Sequence, residues 1–349
     1  MDWSLTRRIV PELVDVLRSR VRIMQRIYLA QPIGRRALAI DLGLTERVLR
    51  AEVDFLKQQG LIVASPAGMS LSEEGEDLLE SLDEVVASLE GRTELSKALA
   101  RVLDIERVIV VSGDSDRDGW VQNTLGHQAA SFLQGELTEG DVLAVAGGST
   151  MAAIANMMPM RKQPFSVRVV PARGGLGEEV DLQANTVAAV LAERIGGTSM
   201  MLHIPDRVQQ HTLEQLLTDP YVRERIPEIR RATIVAHGIG DALRMAERRQ
   251  LTSDEIAILK QSGAVAEAFG YYFNEDGQPV YAMTTVGLQL ADLDRMRLVL
   301  AVAGGHSKAR AIAAAAKAYR INVLVTDEGA ASEILSLASR ETAKADIKS

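Results

Sequence analysis

"DVLAVAGGST" spans Asp141–Thr150, and "RLVLAVAGGHSK" spans Arg297–Lys308. Both contain the five residues AVAGG, and both reach them through an unbroken apolar run. A continuous Val/Leu/Ala run, unlike an alternating one, suits a strand buried on both faces. The endings differ: one continues in Ser149-Thr150, the other in His306-Ser307-Lys308.

Five further runs share this character: "ERVIVVSGD", "SVRVVPARGG", "SMMLHIP", "ATIVAHGIGD" and "NVLVTDEGA". Helical stretches separate them, which predicts a parallel, Rossmann-like α/β sheet with right-handed crossovers. "YYFNEDGQPVYAM" breaks the alternation and predicts a hairpin turning at Asp276-Gly277. In such sheets ligands bind beyond the carboxyl ends of the strands. A helix N-terminus there offers unpaired N–H groups and the positive end of its dipole to an anion. Glycines let the backbone form an anion-binding nest and approach the ligand closely. Gly147 and Gly148, with the hydroxyls of Ser149 and Thr150, make one candidate nest. Gly304 and Gly305, with Ser307 and Lys308, make the second. Neither stretch is a Walker A loop or a GxGxxG fingerprint.

The net charge of −8 is unevenly spread. Residues 1–60 hold 11 Arg/Lys against 7 Asp/Glu, and the remainder holds 28 against 40. A body this acidic repels a phosphorylated ligand unless local cations offset it. Arg173 in "PARGG", Arg248 in "AERRQ" and Lys308 are the candidates. Glu267, in the apolar "AVAEAFGYY", either accepts hydroxyl bonds from a polyol or is simply solvated.

The basic head points to a polyanion partner. "RVRIMQRIYLA" places Val21, Met24, Ile27 and Tyr28 on one helical face. A second short helix in "IGRRALAIDLG" offers Ala37, Leu38 and Ile40, and Gly43 ends it in the left-handed conformation. Thr45 caps a third helix, in which Leu49, Val53 and Leu56 face the core. This is a helix-turn-helix, and "LIVASPAGMSL" adds a hairpin wing. The start of the second helix of such a motif enters the major groove. Thr45, Glu46, Arg47 and Arg50 are therefore the candidate DNA contacts there. The two arginines suit guanine edges, while Arg35 and Arg36 suit phosphates. Ser72 caps a further helix, whose Leu78, Leu82, Val85 and Leu89 form either a short seam for a second chain or a face packed on its own domain.

With no cysteine, disulfides and thiolate metal sites are excluded, and the five scattered histidines carry no metal-ligand spacing. Neither a catalytic metal nor another cofactor is expected. The N-terminus lacks the apolar core of a secretory signal. Residues 142–160 carry no charge, but glycines, Ser149, Thr150, Asn156 and Pro159 make them a strand, loop and helix rather than a membrane span. A cytoplasmic protein follows, with a DNA-binding domain with linker helix over residues 1–88 and an effector domain over 89–349.

The combination of "GRRALA…GLTERVLRAEVDFLK", "VPARGGLGE", "QANT", "HGIG", "AVAEAFGYYFN", "AVAGG…SKA" and "VTDEGAA" resembles the SorC/DeoR-type family of sugar-responsive bacterial repressors. Within it, the chain is most similar to the branch that controls central glycolytic genes. The resemblance spans nearly the whole chain. It implies a winged helix-turn-helix joined to an effector domain similar to sugar-phosphate isomerases. It also implies double-stranded operator DNA as partner and fructose-1,6-bisphosphate as effector; a homo-oligomer, a dimer or tetramer, fits a two-fold operator better than a monomer. The family's first phosphate loop falls on Gly147, Gly148, Ser149 and Thr150, with Ser149 where Thr is commoner. Its other sugar and phosphate contacts fall on Arg173, Gln183, Arg248, Glu267 and Lys308. His306 stands where a small residue is usual, and either narrows the site or adds a pH-sensitive donor.

The glycine loops would equally serve a sugar-phosphate isomerase or kinase-like enzyme. Chemistry would need a positioned acid–base group such as Glu267, Asp241, Asp327 or His306, and no motif sets one beside a titrating partner. With a DNA-binding head attached, the expectation is a regulator and not an enzyme.

Overall fold

The computed structural model describes residues 10–175 and 179–348. Leu176, Gly177 and Glu178, the last three letters of "VPARGGLGE", lie outside the described residues. The chain divides into two compact units, Met1–Glu94 and Leu95–Ser349.

The first unit is a winged helix-turn-helix. Helices Pro11–Ala30, Arg35–Leu42 and Glu46–Gln58 precede a hairpin of β1 (Ile62–Ser65) and β2 (Gly68–Leu71). The strands pair from Ile62↔Leu71 to Ser65↔Gly68. Ile33 adds an isolated antiparallel bridge to β2, exchanging both backbone bonds with Met69 at 3.0 and 2.8 Å. Gly43, at φ 65°, ends the second helix, and Thr45 accepts from the Val48 amide at 3.3 Å to start the third. Leu38, Leu49, Val53 and Leu56 join Met24 and Ile27 in one core. Ile40 departs from expectation, at 73% exposure. An eight-residue helix buries one stripe, here Leu38, Ala39 and Leu42, and Ile40 and Ala37 lie off it. Helix Glu73–Leu89 follows, capped by Ser72. Leu89 of its seam is buried, Leu82 and Val85 are half-buried, and Leu78 is exposed.

The second unit is built on a seven-stranded, wholly parallel sheet. Its strands are β3 (Arg107–Val111), β4 (Val142–Val145), β5 (Arg168–Pro171), β6 (Thr198–Ser199), β7 (Ile234–Gly238), β12 (Leu298–Val302) and β13 (Val323–Asp327). They lie in the order β3-β13-β12-β7-β4-β5-β6. Successive residues of each strand enter opposite cores. Leu143, Val145, Ile234, Ala236, Leu300 and Val302 pack with helices Trp120–Glu136, Ser149–Met157 and Ala184–Ile195. Ala144, Val235, Val299 and Ala301 pack on the other face, with helices Pro220–Arg230 and Ala309–Ala318. Both faces are covered, which is why the strands read as continuous apolar runs.

Of "SMMLHIP" only Ser199 is strand, as the second residue of the two-residue Thr198–Ser199. Beyond them the Asn185 side chain takes both backbone groups of Leu202, at 2.9 and 3.0 Å, in place of ladder bonds. The hairpin expected at Asp276-Gly277 is present, but it belongs to a second, antiparallel sheet. That sheet is ordered β11-β10-β9-β8, from β8 (Gly240–Asp241), β9 (Ala264–Ala268), β10 (Tyr271–Asn274) and β11 (Pro279–Ala282). Among the described residues, no helix is long and apolar enough to cross a membrane.

The connections leave β4 toward β5 and β6, but leave β7 the opposite way, toward β12 and β13. β4 and β7 are neighbours, so the sheet's topological switch point lies between them. A crevice is expected beyond their carboxyl ends.

Candidate ligand site and DNA-facing surface

A cavity opens beyond the carboxyl ends of β4 and β7. Its lining takes in the loops after β4, β5, β7 and β12. Gly147, Gly148, Ser149, Thr150, Arg173, Gln183, Arg248, Glu267 and Lys308 all line it; Gly304 and Gly305 do not.

The loop after β4 is shaped by close backbone approach. A Cβ on Gly147 would lie 2.7 Å from the Leu182 carbonyl oxygen, and Gly148 adopts φ 114°. The Gly148 amide donates to that carbonyl at 2.7 Å. Helix Ser149–Met157 starts directly after, with no side-chain cap. The first amides of a helix have no partner within it, so this turn presents donors and a positive dipole end to the cavity.

The opposite wall is a buried cluster of four charges. Arg173 pairs with Asp206 at 2.8 Å and with Glu267 at 3.4 Å. Arg249 pairs with the same two carboxylates, at 3.2 and 2.9 Å. All four side chains are at most 7% exposed. Burial, then the neighbouring Arg249 charge, draws the pKa of Arg173 below its usual value, while Asp206 and Glu267 oppose that fall. Glu267 also accepts from the Gly270 amide at 2.7 Å. Phe269 and Gly270, at φ 53° and 84°, form the two-residue turn joining β9 to β10. A Cβ on Gly270 would lie 2.7 Å from the Arg173 guanidinium, so the turn and the cation fit each other only with glycine there.

A second group of cations gathers near the cavity. Lys308 feels the repulsion of Arg244 and Arg248. Burial, above all, lowers its pKa; Asp116 and Asp327 hold it up. An anion bound beside Lys308 would relieve that repulsion.

The loop after β12 is filled differently. Asp327 accepts from the Gly305 amide at 2.7 Å, and Asp116 accepts from the Ser307 amide at 2.7 Å and its hydroxyl at 3.0 Å. The His306 Nδ1 lies 3.1 Å from both Asp114 and Asp116. The chain's own carboxylates occupy this nest, and only Lys308 extends from it to the cavity. His306 does not line the cavity.

Three titratable lining residues have no role in the sequence reading. Arg249 is masked by its neighbour in "AERRQ", and Asp206 directly follows the irregular segment that reads as a strand. His237 stands in the quoted "HGIG" without a role. It is 2% exposed at the end of β7, with ring centroids 4.5 Å from Phe269 and 5.7 Å from Tyr319. Burial lowers its pKa to about 4, against the Gly238 carbonyl bond and the Glu267 charge.

In the first unit, Thr45, Glu46, Arg47 and Arg50 are exposed at the start of helix Glu46–Gln58. Arg36 is exposed and Arg35 half-buried on the preceding helix. Among the described residues, Arg36, Arg47 and Arg50 make no ion pair with another side chain. Their charges are therefore available to a polyanion.

Residues 16–86 match the family described as "CggR N-terminal DNA binding domain", and residues 87–336 match the one described as "Putative sugar-binding domain". The chain is 46% identical over 334 residues to the "Central glycolytic genes regulator" of Priestia megaterium, covering 95% of this chain and 97% of that one. It is 43% identical over 329 residues to the protein of the same name in Bacillus subtilis, covering 94% and 97%. Among solved structures, a SorC family regulator from Enterococcus faecalis is similar at TM-score 0.65 and 42% identity. The match covers 69% of this chain and 99% of that one.

Proposed function

The chain belongs to the central glycolytic genes regulators of the SorC family, and from that membership we propose that it is a transcriptional repressor of glycolytic genes. The first unit binds double-stranded operator DNA in the cytoplasm, through Arg47 and Arg50 in the major groove and Arg35 and Arg36 on phosphates. Thr45 and Glu46 border that contact. The second unit binds a phosphorylated sugar, fructose-1,6-bisphosphate, and neither unit catalyses a reaction or needs a cofactor. The protein acts as a homo-oligomer on a two-fold operator.

The observation that supports this reading most is the gathering of open amides, Ser149 and Thr150 hydroxyls and basic side chains in one cavity of an otherwise acidic chain. One phosphate sits on the helix N-terminus at Gly148–Thr150, within reach of Lys308. The second meets Arg248 and the Arg173–Arg249 wall. Glu267 and Gln183 take sugar hydroxyls. The effector acts through its higher affinity for a state whose DNA-binding units fit the operator poorly.

The test is an operator band-shift with and without fructose-1,6-bisphosphate. The sugar releases the wild-type complex. Lys308→Ala binds DNA but needs about ten-fold more sugar for release, and Arg50→Ala binds the sugar but not DNA. DNA binding that ignores every sugar phosphate would overturn the effector assignment.

A further inference from the structure

The cavity is rich in donors and poor in neutral acceptors. Amides, hydroxyls, guanidinium groups and an ammonium can all hold phosphate oxygens, which only accept. A sugar also brings hydroxyl protons, and these need acceptors. Glu267 Oε1 is already engaged by Arg173, Arg249 and the Gly270 amide, which leaves Glu267 only Oε2 for a sugar hydroxyl.

His237 lines this cavity, is 2% exposed, and its Nε2 has no hydrogen-bond partner among the described residues. Its tautomer follows from its other nitrogen. Nδ1 lies 2.9 Å from the Gly238 carbonyl oxygen. A carbonyl only accepts, so Nδ1 carries the proton and Nε2 presents a bare lone pair. With its pKa lowered to about 4, the ring is neutral at physiological pH. Phe269 and Tyr319 flank the ring and fix its orientation. The Tyr319 hydroxyl also lacks a partner, but Tyr319 does not line the cavity. A buried acceptor without a donor is rare in a native protein, and a ligand is one way to complete it.

From this geometry we infer that His237 Nε2 accepts a hydrogen bond from a ligand hydroxyl, so that the site selects polyol phosphates over phosphates lacking a hydroxyl at that place. The inference rests on the sugar-phosphate reading above. An imidazole held neutral contributes no charge to phosphate binding. Its effect is therefore confined to the carbon skeleton of the ligand, and the two contributions separate in experiment.

The test is calorimetric titration of the full chain with fructose-1,6-bisphosphate and, separately, with inorganic phosphate, following thermal unfolding of each variant. His237→Phe keeps the ring stack and removes the acceptor. It weakens sugar bisphosphate binding about 10- to 100-fold and changes inorganic phosphate binding less than about two-fold. His237→Gln restores an acceptor and recovers part of the loss. His237→Leu, with neither ring nor acceptor, gives the same selective loss. Unchanged sugar affinity in His237→Phe overturns the inference alone, as does an equal loss for both ligands. A wild-type chain that binds inorganic phosphate but no sugar phosphate overturns the functional reading, and the inference with it.

Discussion

After β4, AVAGG leads into a helix whose first amides face a cavity. After β12, the same letters lead into amides already bonded to Asp327 and Asp116. The difference comes from what stands opposite. The first loop faces the Leu182 carbonyl, which takes one amide, that of Gly148. The second faces the carboxylates of the loop after β3 and of the end of β13. A nest is therefore a binding site only where the rest of the chain leaves its donors unmet. Identical sequence supplies the donors; the surrounding fold decides whether they are used.

Several substitutions break or sharpen this contrast. The largest effect belongs to the filled loop. Asp327 is fully buried and accepts from Gly305, Ser115 and Ala330 at 2.7, 2.9 and 2.9 Å. Asp327→Ala leaves three amides without their charged acceptor and lowers stability by roughly 3 kcal/mol in urea unfolding. Next comes the open loop. Ser149→Ala with Thr150→Ala weakens sugar phosphate binding about 10- to 100-fold in calorimetry and changes stability by less than about 1 kcal/mol. Lys308→Met joins the two cases. Ligand affinity falls about ten-fold, while ligand-free stability holds or rises, because the burial and repulsion around Lys308 are relieved.

The smallest effect is on pH. Burial raises the Asp114 pKa, but the Asp116 amide and His306 outweigh it and hold the folded value below the ordinary one. A carboxylate with a depressed folded pKa contributes stability above its unfolded value and loses it as pH falls. Unfolding free energy therefore drops as pH falls through and below the ordinary aspartate value, and Asp114→Asn flattens that drop. No such acid step is expected from the Gly147–Thr150 loop, where no carboxylate takes an amide.

The parallel sheet was legible because strands buried on both faces must be apolar throughout, as in Leu298–Val302. The winged helix was legible because Gly43 and Thr45 mark helix ends by chemistry that acts within four residues. Of the second sheet only the β10–β11 hairpin was legible, since β8 and β9 pair at a distance set by the fold around helix Ala242–Arg248. Within the site, Ser149, Thr150 and Lys308 follow from their place after a strand. Asp206 and Arg249 do not, because their role exists only in the four-charge cluster that brings together residues 173, 206, 249 and 267. The filling of the second nest was equally hidden, as Asp116 lies about 190 residues before Ser307 and no periodicity links them.

That four-charge cluster also bears on the kinetics of binding. Its two arginines and two carboxylates sum to zero, and its side chains are at most 7% exposed. The field drawing an anion inward comes instead from the exposed Arg244 and Arg248 and the half-buried Lys308, where salt screens it. Arrival of the ligand should slow as ionic strength rises, while its departure, set by contacts inside the wall, stays nearly constant.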